Sequence, residues 1–500
     1  MRMKTDRTRR FVLGGLGALL VPGVVQAAPP ETSLRPRARS ADFARKAGGG
    51  IEALIARFGL SGAVVCAVAD VQTGLELEAA DGTTGLPPAS VAKALTALYA
   101  LETLGPEYRF KTRLLATGPV NNGVLQGDLI LAGGGDPILT TDDLAALAAE
   151  LKAAGIREVR GAFKVYEGEL PFVNTIDPGQ PDHVGYSPAV SGIALNFNRV
   201  HFEWRASGKT YRVAMDARTE RYRPEVAMAQ MKVVSRSLPV YTYEDAGSVD
   251  QWTVARGALG GGGARWLPVR RPGLYAGDVF RTMARAQGIV LPAAKLTGGL
   301  PQSTEVLAIH ESDQLVAIVK AMLKYSTNLT AEMVGMTATV ARGGKPDSLQ
   351  ASAAAMSRWA AERFGMSGTQ LVDHSGLGEA SRMTPQDLVA ALVRARKDDA
   401  LRPLLKPFGL RDASGRPNNA HPITVNAKTG TLNFVSGLGG YMTAADGTEL
   451  AFAIFAADTR ARSQIARADR ERPKGARSWN RRAKTLQQQL IERWGAIYGS

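Results

Sequence analysis

The chain has little cysteine or histidine and, past its N-terminus, no long apolar run, and each shortage closes off a class of function. Cys66 is the single cysteine among 500 residues, so no intramolecular disulfide can staple the fold. It lies in the strand-like GAVVCAVAD, where a thiol serves as a small buried hydrophobe and not as a protease nucleophile. The five histidines, His183, His201, His310, His374 and His421, are scattered, with no HExxH pair and no cysteine partners. That argues against a catalytic zinc, and neither a metal nor another cofactor is expected. His374, in a turn, reads as structural or as part of a site's rim. Beyond the N-terminus no apolar run reaches the roughly 18 residues of a membrane span.

What is present is a globular composition, 45% hydrophobic and 21% charged, in a chain long enough for two or three domains. Residues 1–28 have a basic start, an apolar run from Phe11 to Val21 and a small-residue exit near Ala27 and Ala28, the pattern of a cleaved export signal. Arg9-Arg10 before Phe11-Val12-Leu13 resembles its twin-arginine form, and the mature protein is expected in the periplasm. The formal charge is +15. Ten basic residues fall between Arg460 and Lys484 against Asp469 and Glu471. No nucleic-acid motif accompanies them, so the segment reads as a solvated basic loop or as a contact for an acidic wall polymer or a membrane surface.

Along the chain, a Pro/Arg-rich linker (29–39) leads into helix, strand and hairpin patterns up to residue 104. A β-rich tract with short alternating runs occupies 105–303. It includes a turn at Asn121-Asn122-Gly123, a helix over TTDDLAALAAELKAAG and a flexible loop at Gly260 to Gly263. From 304 onward amphipathic helices dominate, followed by a hairpin about Ala444 to Gly447 and a helix from Arg481 to Tyr498. The fold class is α+β.

The stretch PPASVAKALTALYAL raises the question of chemistry. Lys93 is the only charged residue between Leu86 and Leu101, on a helix whose other positions are those a core would bury. Ser90 lies three places earlier, so the two side chains can touch, and a serine beside an amine is an activated nucleophile. A capping serine followed by a snorkelling lysine gives the same short pattern. Downstream, Ser326 and Asn328 form S-x-N in a break between two helices, and Lys428, Thr429 and Gly430 form K-T-G in a strand-like run before the hairpin.

In this order the three pieces resemble the S-x-x-K, S-x-N and K-T-G triplet of penicillin-binding proteins and serine β-lactamases. The long interval between Ser90 and Ser326 resembles the class C low-molecular-mass penicillin-binding proteins, D-alanyl-D-alanine carboxypeptidases and endopeptidases. GGGDPILTTDDL, YSPAVSGIALNFNRV and DHSGLGEASRMTP look like further landmarks of that family. One departure is that the family pattern D-G-S-G-L continues with Ser-Arg, where this chain has Gly378-Glu379.

The resemblance implies a transpeptidase-like domain, an antiparallel sheet flanked by helices, built from residues 40–104 and 304–500. The β-rich insertion at 105–303 is expected to form two smaller domains. It also implies that Ser90 is the nucleophile and Lys93 its base, made neutral by burial and by the neighbouring Lys428, with Ser326 relaying a proton between Lys93 and the leaving amine. Asn328 would bind a substrate amide, and Lys428 and Thr429 a terminal carboxylate. Gly430 would let the substrate lie against the backbone, and the N–H groups of Ser90 and Thr431 would hold the oxyanion. The implied substrates are peptidoglycan stem peptides, with β-lactams as covalent inhibitors. A β-lactamase and a non-catalytic wall-binding protein of the same fold are the alternatives.

Overall fold

The computed structural model describes residues 49–499 apart from 169 and 413; the expected export signal and linker lie outside the described residues. The central sheet comprises β1 (Ala63–Asp70), β2 (Glu76–Ala80), β3 (Thr424–Leu432), β4 (Val435–Thr443) and β5 (Glu449–Ala457). Its order is β3-β4-β5-β1-β2, antiparallel throughout. Residues one apart on a strand face opposite sides: Val65, Ala67 and Ala69 enter one core, Cys66 and Val68 the other. Burial pushes the Cys66 thiol up to about 12, so it is an inert hydrophobe.

Both faces are therefore covered. On one side lie α1 (Ile51–Arg57) and α7 (Ala476–Tyr498), which bring Leu54, Leu486, Leu490 and Trp494. On the other lie α2 (Ala92–Leu104), α3 (Leu315–Tyr325), α4 (Asn328–Ala341), α5 (Leu349–Phe364) and α6 (Pro385–Arg396). In α3 the buried Leu315, Ile318, Val319 and Met322 repeat at helical spacing. Gly365 in the left-handed conformation ends α5, and Thr384 caps α6 with Pro385 at its first position. Among the described residues no helix is long and apolar enough to cross a membrane.

The β-rich insertion is more mixed than its sequence suggests. Strands Ala294–Thr297, Phe163–Tyr166, Leu129–Ala132, Lys111–Ala116 and Glu305–Glu311 form one five-stranded sheet in that order, parallel at the first two pairings and antiparallel at the last two. Helices Thr141–Ala153 and Pro272–Ala286 pack against this sheet and each other. The second helix adds to the one helix expected within this β-rich tract. Its Pro-Gly start resembles a loop, but proline suits the first helical position, and Tyr275, Val279, Phe280 and Met283 form a buried stripe. Two three-stranded sheets fill residues 199–268. Gly262 and Gly263, expected in a flexible loop, are paired in strand Gly262–Pro268 opposite Arg205 and Trp204. Because Glu305–Glu311 completes the five-stranded sheet, we propose that the inserted block runs to about 311.

The turn at Asn122 and Gly123 has positive φ at both residues, the geometry of a two-residue hairpin.

Candidate active site

Ser90 sits in a single 3₁₀ turn, Ala89–Val91, that runs directly into α2. Lys93 follows one turn later and is fully buried. Its ammonium meets three oxygens: Ser90 Oγ at 3.0 Å, Asn328 Oδ1 at 2.7 Å and the Ser375 carbonyl at 2.8 Å. Lysine has three donors, and all are used.

The second segment is brought in by the break between α3 and α4. Ser326 ends α3 in the left-handed region, φ 61°, and Asn328 starts α4 two residues later. The third is the outer strand β3. Lys428 Nζ donates to Ser326 Oγ at 2.9 Å and to the Thr429 carbonyl at 2.7 Å. Thr429 is half-buried and Thr431 exposed. Thr431 shares with Ser90, Ser326 and Asn328 the lining of a cavity of about 270 Å³. Four of the eight residues named from the sequence line this cavity, and Lys93, Lys428 and Gly430 lie directly against Ser90 or Ser326.

Four assignments change in detail. Ser326 accepts from Lys428, not from Lys93, whose donors are already occupied. Asn328 presents its oxygen to Lys93 and its Nδ2 to the Tyr186 carbonyl at 2.9 Å, so it first fixes the lysine. Gly430 faces the Ser90 turn: a Cβ there would lie 2.6 Å from the Pro88 carbonyl and 3.0 Å from Ser90 N. The absent side chain thus lets β3 close on the nucleophile's own backbone.

The fourth concerns charge. Burial lowers Lys93 from the usual ammonium value, while the Glu332 and Asp373 carboxylates pull it back up. Lys428 is the lysine lowered by its neighbour. Burial first, then Lys93 and Lys406, bring it to about 6.

Glu332 and Asp373 were not singled out from the sequence. Both are buried, and burial raises both. Glu332 accepts from His374 N and Ser375 N, each at 2.9 Å, and Asp373 accepts from Gly376 N and Gly378 N. Thr96 Oγ1 donates to the His374 carbonyl at 2.6 Å. Together these bonds hold the 373–378 turn so that the Ser375 carbonyl faces Lys93. The signal was available: Glu332 lies one helical turn past Asn328, on the same face, and is a lone acid in an apolar helix. His374 belongs to the core and not to the rim. It is fully buried, bonds Ser352 at 2.8 Å, and burial lowers it to about 3.

The basic segment is not simply a solvated loop. Arg467 pairs with Asp182 at 2.6 Å, and Glu471 bridges His183 at 2.8 Å and Arg265 at 3.0 Å, which ties the segment to the insertion. Arg462 and Arg470 line the cavity itself. Arg460, Arg472, Lys474, Arg477, Arg481, Arg482 and Lys484 remain exposed.

Comparison with known proteins agrees with this geometry. The profile of the D-Ala-D-Ala carboxypeptidase 3 (S13) family matches residues 49–473. A D-alanyl-D-alanine carboxypeptidase of Actinomadura sp. (strain R39) is 31% identical over 440 residues, covering 81% of this chain and 79% of that protein. The D-alanyl-D-alanine carboxypeptidase DacB of Haemophilus influenzae is 27% identical over 403 residues, covering 75% of this chain and 81% of its own length. In three dimensions the crystal structure of penicillin binding protein 4 (dacB) from Haemophilus influenzae superimposes with a TM-score of 0.71 at 21% identity, over 88% of this chain and 99% of that one. A structure of the same protein complexed with a β-lactam gives a TM-score of 0.69, at 22% identity and the same coverage.

Proposed function

The chain belongs to the D-Ala-D-Ala carboxypeptidase 3 (S13) family, and from that premise we propose that it is a periplasmic serine D,D-peptidase acting through a Ser90 acyl-enzyme. The observation that carries this reading is the Lys93 nitrogen 3.0 Å from Ser90 Oγ, buried and fixed by two further acceptors. When Lys93 is neutral, its two N–H groups stay on Asn328 and Ser375 and its lone pair faces the Ser90 hydroxyl. The base is thus aimed by its own hydrogen bonds.

Lys93 takes the hydroxyl proton as Oγ attacks the carbonyl of the penultimate D-alanine. The N–H groups of Ser90 and Thr431 are the proposed donors to the oxyanion. The C–N bond then breaks, and the proton held by Lys93 passes to the leaving amine with Ser326, whose oxygen accepts from Lys428, as the relay, so that Lys93 is neutral again. Water, with Lys93 again as base, cleaves the ester and returns the proton to Oγ. A substrate carboxylate at Lys428 and Thr429 favours the ammonium form of Lys428, which burial otherwise disfavours. If the amine lost is a neighbouring stem's side chain instead of D-alanine, the same steps cut a cross-link. The reading therefore includes endopeptidase activity.

The complex of the Haemophilus influenzae protein with a β-lactam supports β-lactam binding here, and covalent inhibition is the proposed consequence of the Ser90 nucleophile. The exposed cations between Arg460 and Lys484 are the part of that segment left to meet an acidic wall polymer or an anionic membrane surface.

Incubation of the mature protein with benzylpenicillin, followed by intact mass and peptide mapping, tests the reading. A persistent adduct on Ser90, absent in Ser90→Ala, is expected. Rapid drug hydrolysis without an adduct would favour a β-lactamase. Neither adduct nor drug consumption would favour a wall-binding protein.

A further inference from the structure

What Asn328 does for Lys93 depends on which way its amide points. Oδ1 accepts from Lys93 at 2.7 Å, and Nδ2 donates to the Tyr186 carbonyl at 2.9 Å. The two ends of a primary amide have nearly the same shape and opposite hydrogen-bonding sense, so the partner on the far side decides which end faces the lysine. That partner is backbone, supplied by a loop of the insertion.

The loop runs from 174 to 187, and one buried side chain holds it at three points. Arg270, 4% exposed, donates from Nη1 to the Asn174 carbonyl at 3.0 Å and to the Ser187 carbonyl at 2.8 Å, and from Nη2 to the Asp182 carbonyl at 2.9 Å. The first two close the loop at its ends, and Ser187 is the residue after Tyr186. Arg270 is itself fixed. Its backbone N–H donates to Asp250 Oδ2 at 2.9 Å, and Asp250, fully buried in strand Asp250–Ala255, accepts the Tyr243 hydroxyl at 2.9 Å. Ser187 adds a second tie, its Oγ accepting from Asp177 N at 3.0 Å. A rigid guanidinium fork meets three carbonyls at once, which the ammonium of a lysine does not reproduce.

We propose that Arg270 is a positioning residue for acylation: by clamping the 174–187 loop it keeps the Tyr186 carbonyl against Asn328, and so keeps the amide oxygen on Lys93. The inference rests on the serine D,D-peptidase reading. Once that carbonyl moves away, Asn328 is free to turn its NH2 toward Lys93. The lone pair of the neutral lysine is then taken by an amide N–H instead of the Ser90 hydroxyl. The ammonium, in turn, loses an acceptor and meets a donor, so Lys93 gives up its proton at lower pH. The other charges that face Lys93 stay as they are: Glu332 on α4, Asp373 in the 373–378 turn and Lys428 on β3. Removing the positive charge at 270 would by itself favour the Lys93 ammonium and act in the opposite direction.

The test follows the second-order rate of Ser90 acylation by benzylpenicillin across the rising limb of its pH profile. R270M should lower the plateau rate roughly ten- to hundred-fold and move the limb to lower pH, with R270K in between. Loss of folded enzyme, by contrast, lowers the rate at every pH and leaves the limb in place. In N328A, which has no amide to orient, adding R270M should change the rate by less than about two-fold. Should R270M fail to fold, S187A cuts the second tie and should move the limb the same way by a smaller amount. A limb unmoved in the folded variants, or an equal loss from R270M with and without Asn328, overturns the inference, while labelling of Ser90 leaves the peptidase reading standing. No labelling of the wild type at any pH overturns both.

Discussion

At the inner end of the cleft Lys93 gives its three N–H groups to Ser90, Asn328 and Ser375; at the outer end Arg462 gives one bond, to Asn433, and leaves Nε and Nη2 with none. Both side chains are buried cations, Lys93 bonded to the Ser90 that lines the cavity and Arg462 lining it directly, yet only Lys93 has every N–H hydrogen-bonded. The inner end holds its groups in place before substrate arrives, as electrostatic catalysis requires. At the outer end the Glu379 carboxylate stands 3.7 Å from Arg462 Nε, an ion pair without a hydrogen bond, so charge more than directed bonding holds that cation. The contrast is between a cation fixed by directed hydrogen bonds and one held mainly by charge.

Breaking the inner end should have the largest effect. Lys93→Ala removes the base, and penicillin acylation should fall roughly 10²–10⁴-fold, followed as the second-order rate of adduct formation by mass. A near-wild-type rate would take Lys93 out of the mechanism.

Glu332→Gln should do less and in two ways. Its amide cannot accept from both His374 N and Ser375 N, so the turn loosens, at a cost of about 1–3 kcal/mol for the unmet donor. It also removes a charge that raises Lys93. Acylation needs the neutral amine, so in the wild type it rises with pH and levels off below the ordinary ammonium value of 10.5. In the variant Lys93 loses its proton more readily, and the rising limb should move to lower pH. A slower enzyme with an unmoved limb would make Glu332 a structural residue only.

The smallest effect should come from Gly430→Ala, which presses a methyl on the Pro88 carbonyl. It should cost about 1–3 kcal/mol by overpacking, read as a lower Tm together with slower penicillin labelling. Gly409→Ala, with open space around its Cβ position, is the control. Equal behaviour of the two variants would show that the close approach of β3 to the Ser90 turn is not constrained.

The inner end was legible in the sequence and the outer end was not, for a physical reason. Ser90 and Lys93 are one helical turn apart, and Ser326 and Asn328 lie at the break between two helices. Lys428 to Gly430 sit on a strand, so local periodicity sufficed. The main sheet and its helices were readable in the same way, from alternation in β1 and the apolar stripe of α3. Glu332 was readable by the logic that marked Lys93. Which carbonyl Lys93 would meet was not, because Ser375 is supplied by a turn hundreds of residues away. Nor could a run of arginines reveal that Arg467 would pair with Asp182 while Arg462 turned inward. That depends on where the insertion docks. Helix Pro272–Ala286 was hidden by Pro272, Gly273 and Gly277, which read as loop until the stripe beneath them is counted.

The sheet order has a consequence in time. β1, near residue 63, is paired on one side with β5, which ends at Ala457, and Lys428 belongs to β3 at the sheet's edge. A nascent chain that has emerged only as far as α6 carries Ser90, Lys93, Ser326 and Asn328 but lacks the strands that frame them. Non-local pairing of this kind forms late. The hydrolase is thus inert through most of its own synthesis and gains its cutting edge only when its last three strands are made.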